Sequence, residues 1–181
     1  MKAIVVGAGE IGLHLAKVLA SEGRDTILID QSEGARQHVQ EHIDVMTIRG
    51  SGTDTTLLAE AEISKAGLFI AVTDSDETNI IACAIANQNG VKTKIARVSS
   101  TEYFDNAEIL KPSDFGIDML INPELLSAHE FVRLLSFPDT REFVEFEDGK
   151  IQLVAFNVVS KNPLIGKSME NLVHYNWATD L

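Results

Sequence analysis

Three glycines near the start of the chain, Gly7, Gly9 and Gly12 in VVGAGEIG, carry the spacing G-x-G-x-x-G. Each missing side chain serves a different purpose. Gly7 permits a tight turn after an apolar strand, Gly9 leaves nothing to obstruct a pyrophosphate, and Gly12 lets the following helix pack closely. Free N–H groups at the helix start, with the helix dipole behind them, supply a site for an anion. Ala8, Glu10 and Ile11 complete that turn. The motif alone is weakly specific. Here a strand precedes it, a helix follows it, and Asp30 closes the next strand, 18 residues past Gly12. A carboxylate at that place accepts bonds from ribose hydroxyls. It also repels a 2′-phosphate, by about 4 kcal/mol for unit charges about 4 Å apart at an effective dielectric of about 20. Gln31, not an arginine, comes next, so the pattern expects NAD(H) over NADP(H). Arg36, the nearest base downstream, is expected on the surface.

Two more loops and one cation fall where ligands of such sites lie. RGSGTD, containing Gly50, Ser51, Gly52 and Thr53, follows the third strand, and its glycines allow backbone close to an adenine ring. TDSDETN, containing Thr73, Asp74 and Glu77, follows the fourth, with Asp74 or Ser75 as a helix cap. Arg97 ends the fifth strand, where a cation could reach a phosphate.

The elements that must position these residues alternate. AIVVG, DTILID, VMTIRG, GLFIAVT, TKIARV and DMLIN read as strands, the fourth continuously apolar, as a strand covered on both faces should be. Helical stretches separate them: EIGLHLAKVLASEG ending at Gly23, QSEGARQHVQEH with Ser32 as cap, TDTTLLAEAEI starting near Thr53 or Asp54, DSDETNIIACAIANQNG ending at Gly90, and EYFDNAEILK closed by Pro112. PELLSAHEFVRLLSF forms a last helix, with Pro123 at its start and Pro138 just beyond. Strand–helix units of this length imply parallel pairing through right-handed crossovers. The expectation is an α/β fold: a doubly wound, six-stranded parallel sheet of Rossmann type over residues 1–138. After Pro138 the pattern changes. FVEFEDGKIQLVAFNVV reads as a hairpin turning at Asp148-Gly149, SKNPLIGKS as a loop, and MENLVHYNW as the beginning of a helix. Residues 139–181 are too few for a core of their own and read as the start of a small α+β subdomain, cut short or completed by another chain.

Composition narrows the partners. A net charge of −12 in 181 residues argues against nucleic acid and against docking on an anionic membrane surface. With one cysteine, Cys83, no intrachain disulfide can form, which fits a reducing cytoplasm. Cys83 lies in an apolar helical run and reads as core. His38 and His42 have i, i+4 spacing but no acidic or thiol companions, so a solvated helix face is expected in place of a metal site. No signal peptide is expected ahead of the first strand, and no apolar run in the sequence reaches the length needed to span a bilayer.

Together VVGAGEIG, ILID, RGSGTD, VTDSDETNIIACAIA, IARV and INPE resemble the regulatory subunits of Trk-type bacterial potassium uptake, the RCK or KTN domain class. The likeness is close over about residues 1–138, and NPLIGKSMENL is similar to the opening of that family's C-terminal subdomain. The resemblance implies a cytoplasmic ring of nucleotide-binding domains on the inner face of the membrane, attached to a Trk/Ktr-type potassium transporter subunit. NAD(H), and also ATP or ADP, are the implied ligands. Carried over by position, Gly7, Gly9 and Gly12 would hold phosphates, Asp30 the ribose, and Gly50 to Thr53 would lie near the adenine. Thr73, Asp74 and Glu77 would line the far side, and Arg97 would answer phosphate charge. The helix Pro123 to Phe137, with its apolar stripe, would take part in dimer assembly, and dimers would build the ring. Family members carry two tandem units of this kind, so one unit plus a fragment leaves the stoichiometry open. Two other readings compete: an NAD-dependent oxidoreductase, for which the tail offers only His174 as a poor acid–base candidate, and an assembly domain whose crevice is empty or takes adenine nucleotides alone.

Overall fold

A computed structural model describes residues 1–105, 111–136, 140–146, 150–158, 164–168 and 170. Its contacts divide the chain into two compact units, Met1–Leu126 and Ser127–Leu181. The division falls inside the last long helix, ahead of residue 138.

The first unit is built from strands β1 (Lys2–Val6), β2 (Asp25–Asp30), β3 (Met46–Arg49), β4 (Ala66–Ala71), β5 (Thr93–Arg97) and β6 (Met119–Ile121). All pair in parallel, in the order β3-β2-β1-β4-β5-β6. Its helices are α1 (Glu10–Ser21), α2 (Glu33–His42), α3 (Thr55–Glu60), α4 (Asp76–Gln88) and α5 (Glu102–Asp105), and it holds the first residues of α6 (Pro123–Ser136), which the division crosses. This is the doubly wound arrangement, whose strand order reverses beside β1 and opens a crevice there at the strands' carboxyl ends. Central strands are covered on both faces. Ile4, Leu28, Ile29 and Phe69 are fully buried, each side chain contributing about 1.5–3 kcal/mol of hydrophobic stabilisation.

Local chemistry sets the element ends. Gly23 and Gly90 take positive φ just beyond α1 and α4, the conformation a glycine adopts at least cost. Ser32, Asp54 and Ser75 cap α2, α3 and α4 through their side chains. Of the stretch expected as the fifth helix, Glu102–Asp105 is helical, and positions 106–110 lie outside the described residues. Pro112 lies just beyond those positions. It opens a 3₁₀ turn, Pro112–Phe115, because proline's fixed φ suits a first helical position. Cys83 is fully buried and burial pushes its thiol up to about 12, as for a core residue.

The second unit contains an antiparallel pair, β7 (Thr140–Phe146) and β8 (Ile151–Phe156), in which Val144 faces Leu153 and Phe146 faces Ile151. The expected hairpin is present. Its turn at Asp148-Gly149, and most of the loop and helix anticipated beyond residue 158, fall outside the described residues.

Candidate functional site

The glycine loop does what its spacing requires. Gly7 has φ +105°, and a Cβ there would lie 2.9 Å from the backbone of Val72 and Thr73. A Cβ on Gly12 would sit 1.8 Å from the Gly7 carbonyl oxygen, so α1 is seated directly on the turn that precedes it. Gly9 has open space around it. It is also the N-terminal cap of α1, and no side chain bonds the first N–H groups of that helix. The starts of α2, α3 and α4 are closed by hydroxyl or carboxylate oxygens, whereas α1 keeps its donors unmet by any side chain.

Asp30 binds the loop to the next strand. Its Oδ2 accepts from the Ala8 N–H at 2.6 Å, and its Oδ1 accepts from the Ser32 N–H at 2.7 Å. Each oxygen keeps a further acceptor site, so the carboxylate can serve two ribose hydroxyls while still holding the loop. Backbone bonds fasten the strand ends together: Gly7 N–H to Ile29, Gly50 N–H to Asp30, and Val72 N–H to Val6.

These ends enclose an open crevice of ≈ 340 Å³, within the size range of small-molecule sites. Of the expected residues, Asp30, Gln31, Gly50, Gly52, Thr73 and Asp74 line it. Val6, Ile29, Ser32, Ser75 and Thr78 line it as well and were not singled out from sequence. The first two are apolar strand ends that read only as core. Ser32 and Ser75 read as capping residues and do cap their helices, whereas Thr78 carries no reading of its own within TDSDETN. Gly50 and Gly52 have a protein role: a Cβ on either would strike Leu57 or Val6, at 2.1 Å and 2.2 Å. Ser51 and Thr53 bond one another through their hydroxyls at 2.8 Å within the loop. Glu77 accepts from the Ser75 hydroxyl at 3.1 Å, outside the lining.

Arg97 is not in the lining either. Its guanidinium donates to Glu124 at 2.7 Å, while its Nε is buried without a partner. Glu124's own N–H and then Arg97 hold that carboxyl below its usual range. Arg36 donates to Glu33 on its own helix at 2.7 Å. Asp76 and Asn79 are also structural members that sequence reasoning passed over. Asp76 accepts from the Ser99 and Ser100 N–H groups at 2.8 and 2.9 Å, and Asn79 is fully buried. The polar letter inside the apolar run NIIACAIA was the available signal. His38 is exposed, and the side chain of His42 lies outside the described residues. Among the described residues no group of three or more His, Cys, Asp or Glu could hold a metal ion. No helix of the described residues is long and apolar enough to cross a membrane.

Gly7 to Gly12, Ser51 and Thr53 are not in the lining, and the glycine loop meets the cleft through Asp30. Fold and crevice thus define a doubly wound α/β domain in which a strand-end carboxylate lines the cleft and holds the glycine loop by the Ala8 N–H. Residues 3–123 match the TrkA-N domain model, and the chain belongs to that family. It is similar to the Trk system potassium uptake protein trkA homolog 1 of Methanosarcina mazei, 38% identical over 179 residues. That alignment takes in 95% of this chain but 43% of the relative, so the chain spans about two fifths of the curated relatives it matches. In fold it is similar to the TrkA-N domain of the inner membrane protein ybaL from Escherichia coli, with TM-score 0.64 and 19% identity over 74% of this chain and 96% of that one. It is likewise similar to GsuK bound to ADP, with TM-score 0.62 and 24% identity over 76% of this chain and 34% of that one.

Proposed function

We propose that this chain is a nucleotide-binding regulatory unit that gates a membrane potassium transporter in response to NAD(H) or adenine nucleotides and catalyses no turnover. The carrying observation is the pairing of Asp30 with the Ala8 N–H beside a helix start that no side chain caps. One carboxylate organises the phosphate loop and keeps acceptor capacity for a ribose, which is what an adenosine diphosphate group needs. NAD(H) is the first ligand proposed, with ATP or ADP as the alternative occupants. In this reading Gly9 and the start of α1 receive phosphate, Asp30 holds the sugar, and Thr73 and Asp74 form the opposite wall.

The likeness to Trk uptake proteins supports the potassium-transport setting, in which the chain would be cytoplasmic, peripheral to the inner face, and bound to a Trk/Ktr-type membrane subunit. Self-association is part of the proposal. In α6, Leu126, Phe131, Val132, Leu134 and Leu135 are all exposed, more apolar surface than a helix packed only on its own sheet would leave uncovered. Dimers formed there would build the ring.

Titration calorimetry with NAD, NADH, ATP and ADP, alongside a screen of NADH oxidation against common carbonyl substrates, tests the reading. Binding of at least one nucleotide without turnover is the expected result. Robust turnover would make the chain an oxidoreductase, and failure of all four to bind would leave only an assembly domain.

A further inference from the structure

The buried amide of Asn79 is saturated. Its Oδ1 accepts from the Thr73 N–H at 2.9 Å and from the Thr73 hydroxyl at 2.7 Å. Its Nδ2 donates to the Thr73 carbonyl at 3.0 Å and to the Arg97 carbonyl at 2.9 Å. Thr73 lines the crevice, and the Arg97 guanidinium reaches Glu124 in the first turn of α6. Asn122 works in parallel, donating to the Ser99 carbonyl at 2.9 Å and capping α6 by accepting from the Leu125 N–H at 2.9 Å. With all four hydrogen-bonding positions filled, Asn79 cannot follow Thr73 without losing Arg97, and a lost bond is costly at a site closed to water.

We infer that Asn79 is a positioning residue joining the crevice wall to the Arg97–Glu124 pair, so that nucleotide occupancy and the first turn of α6 bias one another. This rests on the nucleotide reading above, and by linkage the effect runs equally in both directions. Glu124→Gln removes the charge that holds Arg97, from outside the crevice. Asn79→Asp keeps the acceptors for Thr73 but turns a carboxylate toward two carbonyl oxygens, cutting the link to β5.

The test measures NADH and ADP affinity of the full chain by calorimetry for the parent, both single variants and the double variant. Glu124→Gln should change affinity by about threefold or more in the parent and leave it unchanged in the Asn79→Asp background. An equal change in both backgrounds would mean that charge alone acts through space, and no change in either would mean that the two sites are independent. Each overturns the inference. Amide hydrogen exchange of the unsubstituted chain gives a check that needs no variant: added NADH should alter exchange at Leu125 and Leu126. Binding without such a change defeats the linkage alone, whereas absence of binding defeats the nucleotide reading and this one with it.

Discussion

Glycines nine to twelve positions into the chain look alike in sequence and differ in consequence. Gly12→Ala would drive a methyl into the Gly7 carbonyl oxygen, a backbone atom that cannot swing aside. Overpacking of this kind costs about 1–3 kcal/mol or more, so thermal unfolding should show a markedly lower Tm. Gly9→Ala meets only open space at an ordinary φ of −69°, and its stability cost should stay near the about 1 kcal/mol preference for glycine over alanine at a cap. The same methyl stands where phosphate would lie, so calorimetry should find NADH binding lost in a chain that still folds. Asp30→Ala should do both kinds of damage. It strands the Ala8 and Ser32 N–H groups and removes the proposed ribose acceptor, each charge-assisted bond contributing about 1.5–3 kcal/mol. NADH affinity should fall at least about tenfold, and unchanged affinity would remove Asp30 from the site.

At the scale of elements, the amino ends of the sheet's central strands are held by ion pairs that respond to pH. Glu62, just before β4, bonds Lys2 of β1 at 2.5 Å and also pairs with Lys65. The hydrogen bond from Lys2, then that from Lys65, holds its carboxyl at about 2, against 4.5 ordinarily. The folded chain therefore binds fewer protons here than the unfolded one. The stabilising contribution is complete above about pH 4.5 and disappears as pH falls through about 2. Melting curves of the parent and Glu62→Gln should differ at pH 6, and the gap should close on acidification through that window. A gap constant with pH would show that the pairs do not form. Helix α3 offers a second check. Asp54 accepts from both Thr56 and Leu57 N–H groups, and Asp54→Ala should lower stability by about 0.5–2 kcal/mol.

For the whole molecule, the decisive question is what covers α6. Leu135 and Phe131 are 81% and 67% exposed, and an apolar helix face of this kind is a common seat for a second copy. Leu135→Glu, alone or with Phe131→Glu, should reduce the mass measured by sedimentation while leaving far-ultraviolet circular dichroism unchanged. If the parent chain sediments as a monomer at every concentration, the assembly proposal fails, although the crevice reading stands.

Alternation of apolar strands with capped helices was enough to specify the six-stranded parallel sheet, because each period and each punctuation residue acts locally. The same holds for Ser32 as a cap, for a cap at Asp74 or Ser75, and for the turn of the glycine loop, which follow from backbone geometry within a few residues. Contacts between distant segments were beyond that reach. Nothing near Arg97 in the chain announces Glu124, nothing near Asp30 announces the Ala8 N–H, and Asn79 gains its meaning only where β4 and β5 end side by side. A sequence states which groups exist and how far apart they lie along the chain, but a carboxylate is fully engaged, half engaged or free according to what the fold brings within hydrogen-bonding distance of it.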